Sequence, residues 1–271
     1  MDRPSVTQYD FEIVESREAA QGVWQLLIRS DVARAIQPGQ FMNLQVPGDG
    51  SHILRIPLSF AQADRDRGLV DLVFAVVGEG TERLSRMRVH DRSTLVGPCG
   101  NGWHLPDTAG RALLVAGGVG LPPIVAAAQM LSKAGIGFDV VVGARTGAAH
   151  VERLLELLRR LPVEGSCDCP RRVLVTTDDG TLGIAGFTTE AIPSLLSERA
   201  YAQAYACGPQ PMMAGVARLA AGHGIACQVS MERMMGCGFG ACSCCNVPLV
   251  SGGYALCCQD GPVFDAGEVA W

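Results

Sequence analysis

The stretch Leu113-Leu-Val-Ala-Gly117-Gly118-Val-Gly120-Leu-Pro-Pro123 runs from an apolar segment through glycines into a helical pattern. The apolar segment is typical of a buried strand, and the glycines would let a pyrophosphate approach backbone N–H groups at the start of a helix. The run differs from G-x-G-x-x-G, so a tight turn without a ligand explains it equally well. In either case the stretch predicts a strand–turn–helix unit, the building block of a parallel α/β sheet.

Strand–helix alternation continues from this stretch toward the C-terminus. It indicates βαβ units and a parallel sheet over residues 105–229, interpreted as a nucleotide-binding domain. The predicted helices are Ile124–Ala134, His150–Leu161, Thr188–Glu198 and Pro209–Gly222, and the predicted strands are Phe138–Val142, Arg172–Thr177 and Ala202–Ala206.

A second strand in this domain also ends on a glycine, in Tyr205-Ala-Cys207-Gly208-Pro209. Two glycine-rich strand ends in one parallel sheet mark a crevice at its carboxyl edge, where ligands bind. Asp178 and Asp179 follow another strand, where they would bind ribose hydroxyls and favour NAD over NADP; a solvated loop explains them equally well. The residues predicted to contact this cofactor are Gly117, Gly118, Gly120, Cys207, Gly208 and Pro209.

The residues before this domain, 1–104, predict a small antiparallel β-barrel of short strands. Turn signals such as Pro38-Gly39 and Gly78-Glu-Gly80 separate the strands. An arginine beside a serine hydroxyl in Arg55-Ile-Pro57-Leu-Ser59 suits a cofactor with a phosphate at one end and a ring nitrogen at the other. The predicted elements are strands Tyr9–Glu15, Val23–Arg29, Phe41–Val46 and Leu69–Val77 and a helix Glu82–Met87.

Composition and charge exclude several classes of function. The chain has 271 residues, 48% of them hydrophobic, and a net charge of −5 without a Lys/Arg run. These values argue against nucleic-acid and anionic-membrane partners. Glycines and prolines interrupt the longest apolar run, Leu113–Met130, and the N-terminal Met1–Ser5 lacks an apolar signal core. We therefore expect a cytoplasmic protein without a membrane span.

The last segment of the chain, 230–271, is dominated by cysteine. Six of the eleven cysteines fall between Cys237 and Cys258, and Cys237, Cys242 and Cys245 form a C-x4-C-x2-C pattern followed by a distant fourth cysteine. This is the plant-type [2Fe–2S] spacing. Interspersed glycines let the backbone curl around the cluster and aim N–H groups at the sulfurs. A module this short and polar needs such a cluster to hold it together.

Other uses of the cysteines stay open from the spacing alone. A structural zinc site usually pairs two C-x2-C knuckles, and a disulfide framework is unusual in a reducing compartment. Cys244 and Cys257 each sit beside a likely ligand, and both members of such a pair rarely bind, because neighbouring side chains of an extended backbone point in opposite directions. Geometry alone does not choose between Cys257 and Cys258. Cys167 and Cys169 are interpreted as exposed thiols of a loop, and Cys99, Cys207 and Cys227 as small apolar residues that pack.

Taken in order, these motifs resemble the ferredoxin–NADP reductase-like family, and within it the electron-transfer subunits of NAD-dependent dihydroorotate dehydrogenases. The resemblance covers nearly the whole chain. Its most specific parts are Glu232-Arg-Met-x-x-Cys237-Gly-x-Gly-Ala-Cys242-x-x-Cys245 and Cys258-x-Asp260-Gly-Pro-Val-Phe264-Asp265. On this pattern Cys258, rather than Cys257, is the fourth cluster ligand.

The resemblance implies an oxidoreductase with an FAD-binding barrel, an NAD-binding domain and a C-terminal [2Fe–2S] module. Ser59 would lie near the flavin ring. The resemblance further implies a partner subunit that carries FMN and oxidises dihydroorotate in pyrimidine biosynthesis, in a heterotetramer of two plus two subunits. The residues expected to contact FAD are Arg55, Ile56, Pro57, Leu58, Ser59, Val73, Phe74, Ala75, Gly80 and Thr81.

Two positions depart from the family pattern. Ile56 stands where an arginine is usual, and Ala75 stands where many relatives have a basic residue.

Two rival hypotheses also remain. The same kind of subunit would serve another partner, such as a different pyrimidine-type flavoenzyme, a transhydrogenase or a sulfhydrogenase. Alternatively, the chain would be a zinc-stabilised nucleotide-binding regulator without redox activity.

Overall fold

A computed structural model describes residues 6–48, 53–162 and 171–271. The chain forms two compact units. The first unit contains Met1–Trp103 and Glu232–Val263, and the second contains His104–Met231 and Phe264–Trp271. Glu232–Val263, which carries the six clustered cysteines, therefore shares a compact unit with the N-terminal strands, although the whole parallel-sheet domain separates them in sequence, whereas Phe264–Trp271 belongs to the second unit.

The first unit is built on a seven-stranded antiparallel sheet in the order β4-β3-β7-β1-β2-β6-β5. The edge strand β4 also packs against β6, so the sheet bends into a half-barrel. The fold class predicted for this half is confirmed. The strands are β1 (Thr7–Ala20), β2 (Val23–Arg29), β3 (Phe41–Leu44), β4 (Ile56–Ser59), β5 (Gln62–Asp64), β6 (Leu69–Ala75) and β7 (Arg92–Cys99).

Alternation of buried and exposed side chains explains most of this sheet. In β2, Leu26 and Ile28 are fully buried, and the strand pairs along its whole length with both β1 and β6. The sequence prediction missed β7, which lies between β1 and β3. Its exposed Arg92 and the Gly97-Pro98 pair hide the alternating pattern, while long-range pairing with two neighbours holds the strand in place.

Short elements complete the first unit. Helix α2 starts three residues before the predicted helix, because Thr81 Oγ1 accepts the N–H groups of Val77 and Gly78 and so caps its first turn. The cysteine-rich segment adds a two-stranded hairpin to this unit, whereas its last strand, β16 (Val263–Asp265), is part of the sheet of the second unit. The elements of the first unit are α1 (Val32–Ala35), α2 (Glu79–Ser85), β14 (Asn246–Pro248) and β15 (Tyr254–Leu256).

The second unit is a sheet with the order β11-β10-β9-β8-β12-β13-β16, in which the strand pairs from β11 to β13 are parallel. The predicted α/β half is confirmed. Its strands are β8 (Arg111–Gly117), β9 (Phe138–Ala144), β10 (Val173–Thr177), β11 (Ile184–Ala185), β12 (Tyr201–Cys207) and β13 (Ala226–Ser230). Its helices are α3 (Leu121–Lys133), α4 (Glu152–Arg160), α5 (Thr188–Glu198) and α6 (Gln210–Gly222). Among the described residues, no helix is long and apolar enough to cross a membrane.

A buried ion network ties together the amino ends of the parallel strands. Asp139 is fully buried, and its carboxylate accepts hydrogen bonds from Arg199 Nη1 at 2.9 and 3.0 Å and from Tyr201 Oη at 2.8 Å. The backbone N–H of Arg172 donates to the same carboxylate at 2.7 Å. These bonds link the starts of β9, β10 and β12, at the sheet edge opposite the glycine-rich strand ends.

We expect Asp139→Ala to destabilise the second unit by about 3–5 kcal/mol, because it removes the fully buried carboxylate that pairs with Arg199 and accepts the Tyr201 hydroxyl and the Arg172 N–H. Denaturant-induced unfolding measures this loss. Glu152→Ala is the control, since it removes an exposed ion pair with Arg159 and should change stability little. Equal stability of the two variants would contradict the assignment of Asp139 as the centre of this network.

Candidate functional site

The four predicted cluster ligands lie in two pairs within the first unit. The thiols of Cys237 and Cys242 lie next to each other, and so do those of Cys245 and Cys258. Among the described residues, no group of three or more His, Cys, Asp or Glu side chains lies close enough together to hold a metal ion, so the structure has two separate pairs of thiols. Two pairs of thiols match the needs of a [2Fe–2S] cluster, in which each iron takes two protein ligands.

Glycines shape the loop between the first two cysteines. Gly238 and Gly240 have φ angles of 81° and 86°, which favour glycine. A Cβ on Gly236 would lie 3.2 Å from Cys242 Sγ, so the backbone approaches this sulfur closely. The loop turns its N–H groups inward, and the Ala241 N–H donates to Cys237 Sγ at 3.3 Å. The thiols, the N–H donors and the glycine backbone therefore fit an iron–sulfur cluster.

The loop also favours the thiolate form of Cys237. Partial burial raises the pKa of this thiol, but N–H groups of Phe239, Cys242 and Ala241 outweigh burial and lower the pKa to about 7. A thiolate is the form that binds a metal. On the other side of the module, the Cys258 N–H donates to Cys245 Sγ at 3.4 Å. Both halves of the cysteine set thus direct backbone donors at sulfur.

The remaining cysteines differ in their surroundings. Cys244 is exposed, whereas Cys257 is fully buried and donates its backbone N–H to the Cys245 carbonyl. Burial raises the pKa of Cys227 to about 12, so this thiol stays protonated at neutral pH. Cys99 and Cys207 are buried as well. The predicted exposed thiols Cys167 and Cys169 lie outside the described residues.

Asn101, which the sequence analysis did not select, holds the loop that follows Cys258. Its Nδ2 donates to the carbonyls of Asp260 at 2.8 Å and Val263 at 2.9 Å, and its Oδ1 accepts the Val263 N–H at 3.0 Å. Its own backbone N–H donates to the Gly261 carbonyl at 2.6 Å. Asn101 lies two residues after the end of β7, so it fixes the C-terminal end of the module to the barrel. In the sequence, the position of Asn101 between Gly100 and Gly102 is the feature that could have identified it.

Two further polar side chains contact the first cysteine loop. Asn43 Nδ2 donates to the Cys237 carbonyl at 3.3 Å, and Gln259 Nε2 donates to the Phe239 carbonyl at 3.0 Å. Sequence reasoning missed both. A polar residue inside the buried strand β3 is the signal that could have identified Asn43.

The residues predicted to contact FAD lie on β4, β6 and α2. On β4, Ile56, Pro57 and Ser59 are half-buried, whereas Leu58 is buried in the core. Val73 and Phe74 are buried and Ala75 is half-buried at the end of β6; Gly80 and Thr81 are buried at the start of α2. In sheet order β4 and β6 are separated by four strands, but the two strands contact each other through the curvature of the sheet. A flavin contact by these residues stays a prediction.

Arg55 has a structural partner within the barrel. Its guanidinium donates to the Thr94 carbonyl and to Thr94 Oγ1, both at 3.0 Å. These bonds reach from the start of β4 to β7, which lies beyond β3 in the sheet. Burial lowers the pKa of Arg55 from a very high ordinary value. The bonds to Thr94 offer a structural role beside the predicted contact with FAD phosphate.

In the second unit, the two glycine-rich strand ends meet at the carboxyl ends of β8 and β12. A Cβ on Gly120 would lie 2.2 Å from the Cys207 carbonyl oxygen, and one on Gly208 would lie 2.9 Å from Gly117 N. Gly118 has a φ of 54° and is exposed, and a Cβ added at this position would have no atom within 4 Å. Close backbone packing with an open glycine at its edge suits an approaching pyrophosphate. The side chain of Cys207 is buried, so this residue would face a ligand only through its backbone.

The two predicted ribose-binding acids lie beyond β10. Asp178 and Asp179 are exposed, and Asp179 Oδ1 accepts hydrogen bonds from Thr181 Oγ1 at 2.6 Å and from Thr181 N at 3.0 Å. The bonds from Thr181 lower the pKa of Asp179. The turn is therefore ordered by its own contacts, and ribose binding by these acids stays a prediction.

We expect Gly120→Ala to impair the predicted dinucleotide site, because a methyl group would collide with the Cys207 carbonyl and push the two strand ends apart. A displacement of about 1 Å in such a site costs about 100-fold in rate. Anaerobic stopped-flow reduction by NADH measures the loss. Gly222→Ala is the control, since nothing lies within 4 Å of a Cβ there. Unchanged reduction of the Gly120 variant would contradict the site assignment.

Comparisons with known proteins agree with this arrangement. Residues 232–270 match the family model described as the iron-sulfur cluster binding domain of dihydroorotate dehydrogenase B. The dihydroorotate dehydrogenase B (NAD(+)) electron transfer subunit of Geobacillus thermodenitrificans strain NG80-2 is 35% identical over 262 residues, which cover 95% of this chain and 96% of the relative. The subunit of the same name from Desulforamulus reducens strain MI-1 is 34% identical over 89% of each chain.

A solved structure extends the similarity to the whole fold. It belongs to an NADH-dependent reduced ferredoxin-NADP oxidoreductase studied for flavin-based electron bifurcation. The TM-score is 0.82 at 33% sequence identity, with 96% of this chain and 89% of that chain covered. Both units and the cysteine module therefore have counterparts in one solved chain.

Proposed function

Because this chain belongs to the family of dihydroorotate dehydrogenase B electron transfer subunits, we propose that it exchanges electrons between NAD(H) and a catalytic partner subunit. The pairing of Cys237 with Cys242 and of Cys245 with Cys258, inside the same compact unit as the half-barrel, carries this proposal. The likeness to oxidoreductase electron transfer subunits over nearly the whole chain supports it. A zinc-stabilised regulator has no comparable support.

The four paired cysteines would hold the [2Fe–2S] cluster. Loop N–H groups, such as that of Ala241, stabilise charge on the ligand sulfurs. Cys245 and Cys258 are almost fully buried, so their thiolates would be shielded from water. Cys242 is exposed, which leaves one edge of the module open toward a partner. When bound, FAD and the cluster supply the exchange of a hydride with NAD(H) and of single electrons with the partner.

The half-barrel would hold FAD through β4, β6 and the start of α2. Half-buried Ser59 would offer its hydroxyl to the flavin ring. Pro57, on the same strand, would contact FAD through its backbone. Thr81 shapes the turn before α2 through its bonds to Val77 and Gly78. In this assignment residues 1–104 bind FAD, residues 105–229 bind NAD and residues 230–271 bind the cluster.

The second unit would bind NAD(H) at the carboxyl edge of its sheet. The glycine backbone from Gly117 to Gly120 admits the pyrophosphate at the start of α3. Asp178 and Asp179 add negative charge at the same edge and would repel a 2′-phosphate, which favours NAD over NADP. Hydride exchange needs no general base, so we assign that role to no side chain.

The name of the family implies a catalytic partner. We infer that the partner carries FMN and oxidises dihydroorotate to orotate in pyrimidine biosynthesis, and that two copies of each subunit form a cytoplasmic heterotetramer. The relatives of this chain are named electron transfer subunits. Dihydroorotate would therefore bind to the partner subunit and not to this chain.

An anaerobic titration with NADH tests this function. The purified chain should show flavin bands and a cluster shoulder in its visible spectrum, and NADH should bleach both. Native mass spectrometry after co-purification should find the catalytic partner at equal stoichiometry. A colourless, zinc-containing protein would contradict the redox function, and a different co-purifying flavoenzyme would contradict only the choice of partner.

A further inference from the structure

Asn43 is a buried amide in the middle of an otherwise apolar strand. Its side chain is 1% exposed, and its neighbours Met42 and Leu44 are fully buried. In the sheet it pairs with Pro57 of β4 on one side and with Val96 of β7 on the other. A polar group in such a place has to find its hydrogen-bond partners within the protein.

The amide contacts the loop that carries the first predicted cluster ligand. Asn43 Nδ2 donates to the Cys237 carbonyl oxygen at 3.3 Å. A Cβ on Gly238 would lie 1.6 Å from the same nitrogen, so the amide packs directly against the glycine backbone. One side chain thus fixes the peptide between Cys237 and Gly238 by a hydrogen bond and by steric contact.

This peptide starts the turn whose N–H groups point at sulfur. The Ala241 N–H donates to Cys237 Sγ at 3.3 Å, and the N–H groups of Phe239 and Cys242 lie close to the same sulfur. Hydrogen bonds to ligand sulfurs raise the reduction potential of an iron–sulfur cluster. A rotation of the peptide after Cys237 would move all three donors together.

Packing of the barrel does not explain an asparagine here. Asn43 Oδ1 is buried, and no described residue gives it a hydrogen bond. A leucine has a similar shape and would fill the space without burying an unpartnered carbonyl oxygen. Burial of the amide oxygen therefore costs free energy of folding, and the hydrogen bond from the amide nitrogen to the cluster loop offsets this cost.

We propose that Asn43 is a positioning residue that sets the reduction potential of the cluster. It acts through the Cys237–Gly238 peptide, which it holds so that the loop N–H groups stay aimed at Cys237 Sγ. The proposal rests on the proposed function, since it requires a cluster at Cys237. Because β3 pairs with β4, the same strand joins the predicted flavin side of the barrel to the cluster loop.

The test compares Asn43→Leu and Asn43→Asp with the wild-type chain, each purified anaerobically with its cofactors. The measurement is the midpoint potential of the cluster, from a redox titration followed by electron paramagnetic resonance. We expect Asn43→Leu to shift the ratio of reduced to oxidised cluster by about tenfold at a given potential, or ~59 mV downward, as for one loop N–H that no longer donates to a charged ligand sulfur. At a pH high enough to ionise its buried carboxyl, Asn43→Asp should shift the potential further, because it adds a negative charge.

Met42→Ala is the matched control, since Met42 is fully buried in the same strand and packs against Gly97. It should lower thermal stability and leave the potential unchanged. Unchanged potentials in both Asn43 variants would overturn the proposal. Loss of iron from both Asn43 variants, with flavin retained, would also overturn it, because Asn43 would then be needed to hold the cluster and not to set its potential. A wild-type chain without a cluster would instead refute the proposed function.

Discussion

Cys258→Ser is expected to lose the iron–sulfur cluster, whereas Cys257→Ser is expected to keep it. The two residues are adjacent and both are buried, so neither exposure nor sequence position separates them. Burial raises the pKa of both thiols, which does not separate them either. The difference lies in their contacts.

The thiol of Cys258 lies next to the thiol of Cys245, and the Cys258 N–H donates to that sulfur at 3.4 Å. The Cys257 backbone N–H donates to the Cys245 carbonyl. The Cys258 sulfur is thus paired with a second predicted ligand. A serine there would leave one iron with a single thiolate, and essentially all of the cluster should be lost.

Iron content and the visible spectrum of anaerobically purified variants measure this outcome. Cys257→Ser is the matched control, since it changes one buried sulfur to oxygen at the neighbouring position. The reverse pattern, with iron lost from Cys257→Ser and retained in Cys258→Ser, would show that the ligand assignment is wrong.

Asn101→Leu is expected to release the C-terminal end of the cluster module from the barrel. The change removes three hydrogen bonds that the Asn101 side chain makes with the backbone of Asp260 and Val263. The bond to Asp260 is exposed, whereas the two bonds to Val263 are partly buried. Partly buried groups that lose a hydrogen bond cost about 1–3 kcal/mol each, so we expect a loss of about 2–4 kcal/mol for the unit. The Cys258 loop should then bind iron less completely.

Chemical denaturation and iron analysis of the same preparation check both effects. Asn246→Leu, an exposed asparagine of the hairpin in the same module, is the control and should change neither stability nor iron content. Full stability and full iron in Asn101→Leu would refute its role as the anchor of the module.

Periodicity was sufficient to predict most of the fold. The strand Val23–Arg29 and the helix Thr188–Glu198 occur with the predicted bounds, because both have regular patterns and clear turn residues at their ends. The strand Arg92–Cys99 was missed because its position depends on pairing with β1 and β3, which are distant in sequence. Local patterns do not report such pairing.

The residues of the candidate site also fall into two groups, those that local sequence patterns identify and those that only long-range contacts identify. The spacing of Cys237, Cys242 and Cys245 identified the cluster loop without any structure, since ligand geometry constrains short spacings. Asn43 and Asn101 act across long stretches of sequence, at positions where an asparagine is also an ordinary strand or turn residue. Their roles emerge only from the contacts that the folded chain makes.

Chemical analysis of iron and acid-labile sulfide tests the central claim most directly. The chain should be purified without oxygen, and its flavin content should be measured on the same sample. The account predicts about two irons and two sulfides per chain, as a [2Fe–2S] cluster requires. A flavin-containing chain with neither iron nor sulfide, or with zinc in their place, would contradict it.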